Sequence, residues 1–261
     1  MGKLGLTIMY YALFVELDVF FDVSVYYPQT SQATPSYPLP PPTTLVGSLA
    51  YPLNREKGVL EVVTTPEEQM CSSAVKLLDD VHYATSGSLG YVTYKSLERI
   101  HQHLYMRKEH WKHIDLAWSV APRGGSTFLD DKLYVLYITK NPELASYAWG
   151  ITRIGRKESH VIVRDVNLFR LEDLATEKLE ESTYFYVPAT IIHSCTNYIE
   201  VNMPTLSREN YCAGVTPRTE KFYVPMFHDS MKCELDKDKG IFIRIKDMYV
   251  PIPKEFISSL K

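Results

Sequence analysis

The chain of 261 residues is poor in cysteine, with four, and no two of them stand close enough to form a C-x-x-C metal pair. Cys71, Cys195, Cys212 and Cys233 therefore read as free, buried thiols of a reducing compartment, and a cytoplasmic location is expected. The apolar stretch Leu4–Phe21 is interrupted by Glu16 and Asp18. It has neither a basic leading region nor a small-residue cleavage site, so no signal peptide is expected. A run of about 18 apolar residues is also missing, so no membrane span is expected. Asp, Glu and His form no compact cluster in the sequence, which argues against a metal site, and no cofactor is implied. There is no excess of basic charge: 28 Lys and Arg stand against 31 Asp and Glu, net −3, which excludes an indiscriminate polycationic coat for nucleic acid. With 45% hydrophobic and 23% charged residues the composition is that of a globular protein with enough apolar surface to offset ordering entropy.

The charge is unevenly spread. Residues 1–94 carry 4 basic and 9 acidic side chains, residues 95–170 carry 13 and 8, and residues 171–261 carry 11 and 14. Five of the eight histidines (His101, His103, His110, His113 and His160) lie in the basic middle segment. A basic segment inside an acidic chain points to one face built for an anion.

Leu6–Tyr27 is rich in Val, Phe, Tyr and Ile and reads as one long or bent strand. Five prolines between Pro35 and Pro42 make an extended approach, because proline fixes φ and lacks an N–H. A helix follows, with Thr43 as N-cap and Leu45, Val46 and Leu49 as its apolar stripe. Gly47 within it costs up to about 1 kcal/mol against Ala and so signals close packing or close approach of another backbone. Pro66, Glu67 and Glu68 read as the start of a second helix reaching about Asp80. Val81–Thr85 and Ile114–Val120 read as strands, Arg123-Gly124-Gly125-Ser126 as a turn, and Lys132–Thr139 as a buried strand. Asn141-Pro142-Glu143 opens a short helix that ends at Gly150. Arg153–Ser159 is a charged loop before a strand over His160–Leu168.

That order, with an insertion over 88–126, predicts an α+β fold: a ferredoxin-like (RRM-like) β-α-β-β-α-β domain over residues 1–170. Beyond Arg170 an acidic stretch, Glu172 to Glu181, reads as helix or linker. Short β-like runs punctuated by prolines then predict a small β-rich domain over 171–261.

Two segments, Pro38-Leu39-Pro40-Pro41-Pro42-Thr43-Thr44-Leu45-Val46-Gly47-Ser48-Leu49-Ala50 and Arg153-Ile154-Gly155-Arg156-Lys157-Glu158-Ser159, together resemble the fifth Cas protein family of type I CRISPR systems, a RAMP subunit of Cascade. The resemblance covers residues 6–168 and is nearest to the archaeal type I-A branch. It implies a RAMP domain whose first motif opens helix one and whose second is the basic glycine loop before the last strand. It also implies a thumb-like hairpin in the insertion. The implied partners are the crRNA, the Cascade backbone subunits, the large subunit and, through the complex, target DNA, with no membrane.

The chemistry of both motifs suits RNA. A helix N-terminus holds a phosphate through unpaired N–H groups, and the Thr43 and Thr44 hydroxyls add donors. Gly155 lets the backbone approach a ligand, with Arg153, Arg156, Lys157, Ser159 and His160 around it. In the insertion, Arg107, Lys108, Lys112 and Arg123 lie among Tyr91, Tyr94, Tyr105 and Trp111, a mixture suited to phosphates and stacked bases. Glu158 is read as ordering the loop through an ion pair. A non-catalytic role, capping the 5′ handle of the guide, is expected. The alternative is metal-independent cleavage of precursor crRNA, as in the type I-C branch. There Tyr51, Lys112 and His113 would act on the 2′-hydroxyl and the adjacent phosphate.

Overall fold

The computed structural model describes residues 9–27, 35–66, 68–101 and 118–257. Strand β1 (Tyr11–Val19) is followed by helix α1 (Pro42–Glu56), the short strands β2 (Val62–Thr64) and β3 (Met70–Ser72), and β4 (Val81–Gly87). Strands β5 (Tyr91–His101) and β6 (Trp118–Phe128) form a long hairpin. Then come β7 (Lys132–Thr139), α2 (Leu144–Ala148) and β8 (Val161–Arg170). A four-stranded antiparallel sheet in the order β4-β7-β1-β8 joins the elements of this first part. Leaving aside the β2–β3 and β5–β6 hairpins, the chain order is β-α-β-β-α-β.

Alternation along the sheet strands explains why β1 and β7 read as nearly continuous apolar runs: both faces are buried. Leu13, Val15, Leu17 and Val19 of β1 and Leu133, Val135 and Tyr137 of β7 pack with Leu45, Val46 and Leu49 of α1 and with Leu144 and Ala148 of α2. The alternate residues Ala12, Phe14, Tyr134, Leu136 and Ile138 point the other way, onto Ile241, Ile243, Val250 and Ile252. Each such side chain contributes about 1.5–3 kcal/mol on full burial.

Those covering residues belong to the C-terminal part. Its strands are β9 (Glu180–Thr183), β10 (Val187–Pro188), β11 (Ile192–Thr196), β12 (Tyr198–Pro204), β13 (Thr219–Pro225), β14 (Met231–Leu235), β15 (Gly240–Ile245) and β16 (Met248–Pro253). They form sheets in the orders β10-β13-β12, β11-β14-β9 and β15-β16. Val201, Met203, Phe222 and Val224 of β12 and β13 join the helix-side core, while β15 and β16 cover the opposite face of the main sheet. Lys246, in the β15–β16 turn, pairs with Glu16 of β1 and with Asp165 of β8, the latter at 3.1 Å.

Several sequence expectations are corrected. Thr43 is not the N-cap of α1: Pro41 is, with φ −67° and ψ 160°, and Pro42 takes the first helical position. Proline is suited to that place because its missing N–H is one the helix leaves unpaired anyway. The helix expected from Pro66 is replaced by the β2–β3 hairpin and a 3-10 turn over Ser73–Asp79, where the Ser72 hydroxyl accepts from Ala74 N at 3.3 Å. Arg123–Ser126 is strand, not turn, paired with Thr93–Ser96. A Cβ on Gly125 would collide with the Asp22 carboxylate and lie 2.7 Å from Tyr94 Oη, so the glycine there serves packing. The acidic stretch after Arg170 forms a 3-10 turn (Leu171–Leu174) and then β9. Gly150 is not the cap of α2, which ends at Ala148 with Trp149 as C-cap; Gly150 serves packing instead, since a Cβ there would lie 2.6 Å from Pro52 Cβ of α1.

The cysteines differ most from expectation. Cys71 is bonded to Cys212 and Cys195 to Cys233, and none is free. Cys195 stands directly across from Cys233 in the β11–β14 ladder, and Cys71 pairs with Cys212 in an isolated bridge. Sequence separations of 38 and 141 residues hid both pairings. Among the described residues no helix is long and apolar enough to cross a membrane.

Candidate nucleic-acid interface

Helix α1 has two faces because of its period. Leu45, Val46 and Leu49 go to the core, while Thr44, Gly47, Ser48 and Tyr51, at i, i+3, i+4 and i+7, fall on one side. That side forms the floor of an open cleft of about 260 Å³. Glu61, Ser72, Ser73 and Ala74 make one wall of it, and Thr152, Arg153 and Gly155 the other. The two motifs singled out in the sequence, about a hundred residues apart, therefore meet at one place.

The cleft sets a cation against an aromatic ring, with Glu61 on the opposite wall. The Arg153 guanidinium lies 4.7 Å from the centroid of the Tyr51 ring, and that of Arg55 lies 5.7 Å from it. Arg55 Nη1 also donates to Tyr51 Oη at 3.2 Å. Two guanidinium groups are thus gathered at one ring, attracted by its negative face. Glu61 Oε1 stands 4.0 Å from Arg153 Nη2, a distance that orients the arginine while leaving its side chain 38% exposed. On the floor, Ser48 Oγ donates to Leu45 O at 2.7 Å, and Asn54 Nδ2 to Ser73 Oγ at 2.7 Å.

Gly47 faces this opening, with nothing within 4 Å of where a Cβ would stand. The close approach expected at Gly47 is thus not made by the chain itself. Gly155 is the reverse case: its φ is +88°, and a Cβ would lie 2.6 Å from Ser24 O. Its freedom is used by the protein's own backbone, since Arg156 N donates to that same Ser24 O at 3.1 Å. Nor is the helix N-terminus rich in donors. Pro41 and Pro42 have no N–H, and Thr44 N–H already donates to Pro41 O at 3.0 Å. Thr43 lies half-buried in the first turn. The cations and hydroxyls gathered at the cleft come from the middle of α1 and from the Arg153 loop.

The loop bends outward at Arg156, Lys157 and Glu158. Arg156 Nε donates to Glu158 Oε2 at 2.8 Å, and this hydrogen bond holds the Glu158 carboxyl below its usual range. Glu158 thus orders the loop, as read from the sequence. Lys157 is exposed. Ser159 is not at a surface: it is fully buried, and its Oγ accepts from Ser24 N at 3.2 Å, which ties the loop to the segment after β1.

On the far side of the loop an open hollow of about 450 Å³ is lined by Phe21, Asp22, Tyr94, Arg123, Glu158 and His160. Arg123 Nη2 lies 3.3 Å from Asp22 Oδ2, and Tyr94 Oη donates to the same oxygen at 2.8 Å. Phe20 and Phe21 beside it are 55% and 73% exposed. Sequence reading missed these two phenylalanines. Their alternation marked a strand, and only the bend after Val19 turns both outward. Arg107, Lys108, Lys112 and His113 lie outside the described residues, so of the alternative catalytic set only Tyr51 is placed. Among the described residues no group of three His, Cys, Asp or Glu side chains is placed to hold a metal. A separate cavity of about 640 Å³, lined by His82, Glu220, Phe222 and Lys254 among others, contains none of the residues singled out as RNA-binding.

No family model matches the chain. It is 30% identical over 157 residues to a protein of Saccharolobus solfataricus named CRISPR system aCascade subunit Cas5 1, a match over 59% of this chain and 63% of that protein. A second protein of that organism, CRISPR-associated protein Cas5 2, is 26% identical over 192 residues, 70% of each chain. The chain thus spans less than two thirds of the first relative's length. Among solved structures, a CRISPR protein from Archaeoglobus fulgidus shares the fold, with a TM-score of 0.57 at 16% identity, covering 93% of this chain and 99% of that one.

Proposed function

We propose that this chain, a homologue of the Cas5 proteins, is a crRNA-binding subunit of a type I CRISPR Cascade surveillance complex in antiviral defence. Its role is to cap the 5′ handle of the guide RNA, in a complex of the I-A type. The observation that carries this is the meeting of Thr44, Gly47 and Tyr51 with Arg153 and Gly155 in one open cleft, with a guanidinium over an aromatic ring. Such a cleft suits a chain with a phosphate at every step and a stackable base beside it. It is open at the surface, as a polymer passing through requires.

The fold reading that accompanies the proposal is a ferredoxin-like RAMP domain over residues 1–170, with the β5–β6 hairpin as its thumb, and a C-terminal β-rich domain over 171–261. The β-α-β-β-α-β order supports it. Backbone and large subunits would meet the acidic flanks, and target DNA would be reached through the complex. Disulfides agree with a cytoplasmic ribonucleoprotein where the cytosol is that of a hyperthermophile, a known exception to the scarcity of intracellular disulfides.

Co-purification with partner subunits and sequencing of bound RNA tests the proposal: short RNAs sharing one repeat-derived 5′ end are expected, and random fragments would overturn it. Arg153→Glu is expected to weaken binding of single-stranded RNA about tenfold and to reduce the slope of log affinity against log salt by about 1. An unchanged slope removes Arg153 from the interface. The role proposed is non-catalytic, so incubation with a repeat-containing RNA, with and without divalent metal, is expected to leave it intact. Metal-independent scission lost in His113→Ala would establish the endoribonuclease alternative instead.

A further inference from the structure

The wall of the cleft that faces Arg153 is weakly built. Strands β2 and β3 share three residue pairs, Val62↔Ser72 to Thr64↔Met70, and a two-stranded ribbon of that length is not stable alone. Its outward residues Val62 and Met70 are 56% and 59% exposed, so apolar burial on that face does not hold it. On the cleft side, Ser73 N and Ser73 Oγ both donate to Glu61 O, at 2.9 and 3.1 Å. On the other side, Ala213 N donates to Met70 O at 2.8 Å and Gln69 Nε2 to Ala213 O at 3.1 Å. The one covalent tie is Cys71–Cys212. The residues directly after Cys71 are Ser72, Ser73 and Ala74, which together with Glu61 are the cleft wall. Cys212 lies in the C-terminal part, just after the 3-10 turn Arg208–Tyr211. It is partly exposed, whereas Cys71 is 2% exposed.

The second disulfide provides a contrast. Cys195–Cys233 links β11 to β14 within the sheet β11-β14-β9, and none of the cleft's lining residues comes from that sheet.

We propose that Cys71–Cys212 is a redox-sensitive staple that fixes the cleft wall and thereby sets its affinity for RNA, an inference that rests on the RNA reading of this cleft. A dithiol reductant attacks through its thiolate at the Cys212 sulfur, the more exposed partner, and expels the Cys71 thiolate. The second thiol of the reductant then closes its own disulfide and releases Cys212. Two electrons and two protons pass to the protein, leaving two cysteine thiols and one oxidised reductant. The ribbon then keeps its hydrogen bonds and the packing of Ser73 and Ala74, buried directly after it, but loses its tie to the C-terminal part, and RNA has to order it on binding, which weakens association.

The test uses the full-length oxidised protein, a fluorescent short single-stranded RNA, and amide hydrogen exchange over the β2–β3 hairpin. Cys212→Ser, and the wild type after dithiothreitol treatment, are expected to bind RNA about five- to tenfold more weakly and to exchange faster in the hairpin. Cys195→Ser is expected to match the oxidised wild type in both measurements. Unchanged affinity and unchanged exchange in Cys212→Ser overturn the inference, as does an equal loss of affinity in Cys195→Ser. If the oxidised wild type binds no RNA, the RNA reading fails on its own. Hairpin exchange then still decides whether the staple holds the wall: faster exchange in Cys212→Ser upholds it and unchanged exchange removes it.

Discussion

Reduction of both disulfides is expected to lower the thermal midpoint by roughly 10 °C or more. The cross-links span 141 and 38 residues, and loop-closure entropy for those separations gives about 5 and about 4 kcal/mol. Native strain and residual structure in the unfolded chain reduce such figures, so about 2–5 kcal/mol each is the working range. For a chain of this size each kcal/mol moves the midpoint by about 2–4 °C. The effects are expected to be unequal. Cys71–Cys212 closes the longer loop and ties a marginal ribbon to the C-terminal part, whereas Cys195 and Cys233 are already neighbours in a hydrogen-bonded ladder. The paired variant Cys71→Ser/Cys212→Ser should therefore melt below Cys195→Ser/Cys233→Ser. Circular-dichroism melts with and without a phosphine reductant measure both. A midpoint indifferent to reductant, or four titratable thiols in untreated protein, would remove the disulfides from the account.

The two halves of the chain were unequally legible in the sequence. β7 was read at its true bounds because both its faces are buried, which leaves an unbroken apolar run with a charged residue only at Lys132. α1 was read two positions late because a threonine after three prolines looks like a cap, while the second and third of those prolines occupy the cap and the first turn themselves. The helical spacing of Thr44, Gly47, Ser48 and Tyr51 was present in the sequence. Its meeting with Arg153 was not, since that depends on α2 packing beside α1 at the Gly150–Pro52 contact. The cysteine pairings, the cover that β15 and β16 place over the main sheet, and the inward turn of Ser159 are all long-range events. Local propensity has no access to them. Arg123-Gly124-Gly125-Ser126 misled for the same reason: two glycines signal a turn unless something distant needs the space, and here the Asp22 carboxylate does.

Gly47 and Gly155 separate fold from function, because alanine at each is expected to have opposite effects on stability. At Gly155 the backbone is left-handed, φ +88°, which costs an L-residue about 1–2 kcal/mol. The added Cβ would also lie 2.6 Å from Ser24 O. Ser24 has little room to yield: its carbonyl accepts from Arg156 N, its N–H donates to buried Ser159, and its hydroxyl donates to Gly124 O at 2.6 Å. Gly155→Ala is therefore expected to destabilise the protein by about 2–4 kcal/mol and to weaken RNA binding by displacing Arg153 from Tyr51. At Gly47 the position is helical and open, so alanine is expected to add up to about 1 kcal/mol through helix propensity. Its methyl group would project into the cleft through which the proposed RNA would pass. Gly47→Ala is thus expected to raise stability in urea titrations and lower RNA affinity in the same preparation. A Gly47→Ala protein that is more stable and binds RNA undiminished would show that the nucleic acid does not run along this face of α1. The stability gain excludes misfolding as the cause of any loss of binding, which Gly155→Ala alone does not do.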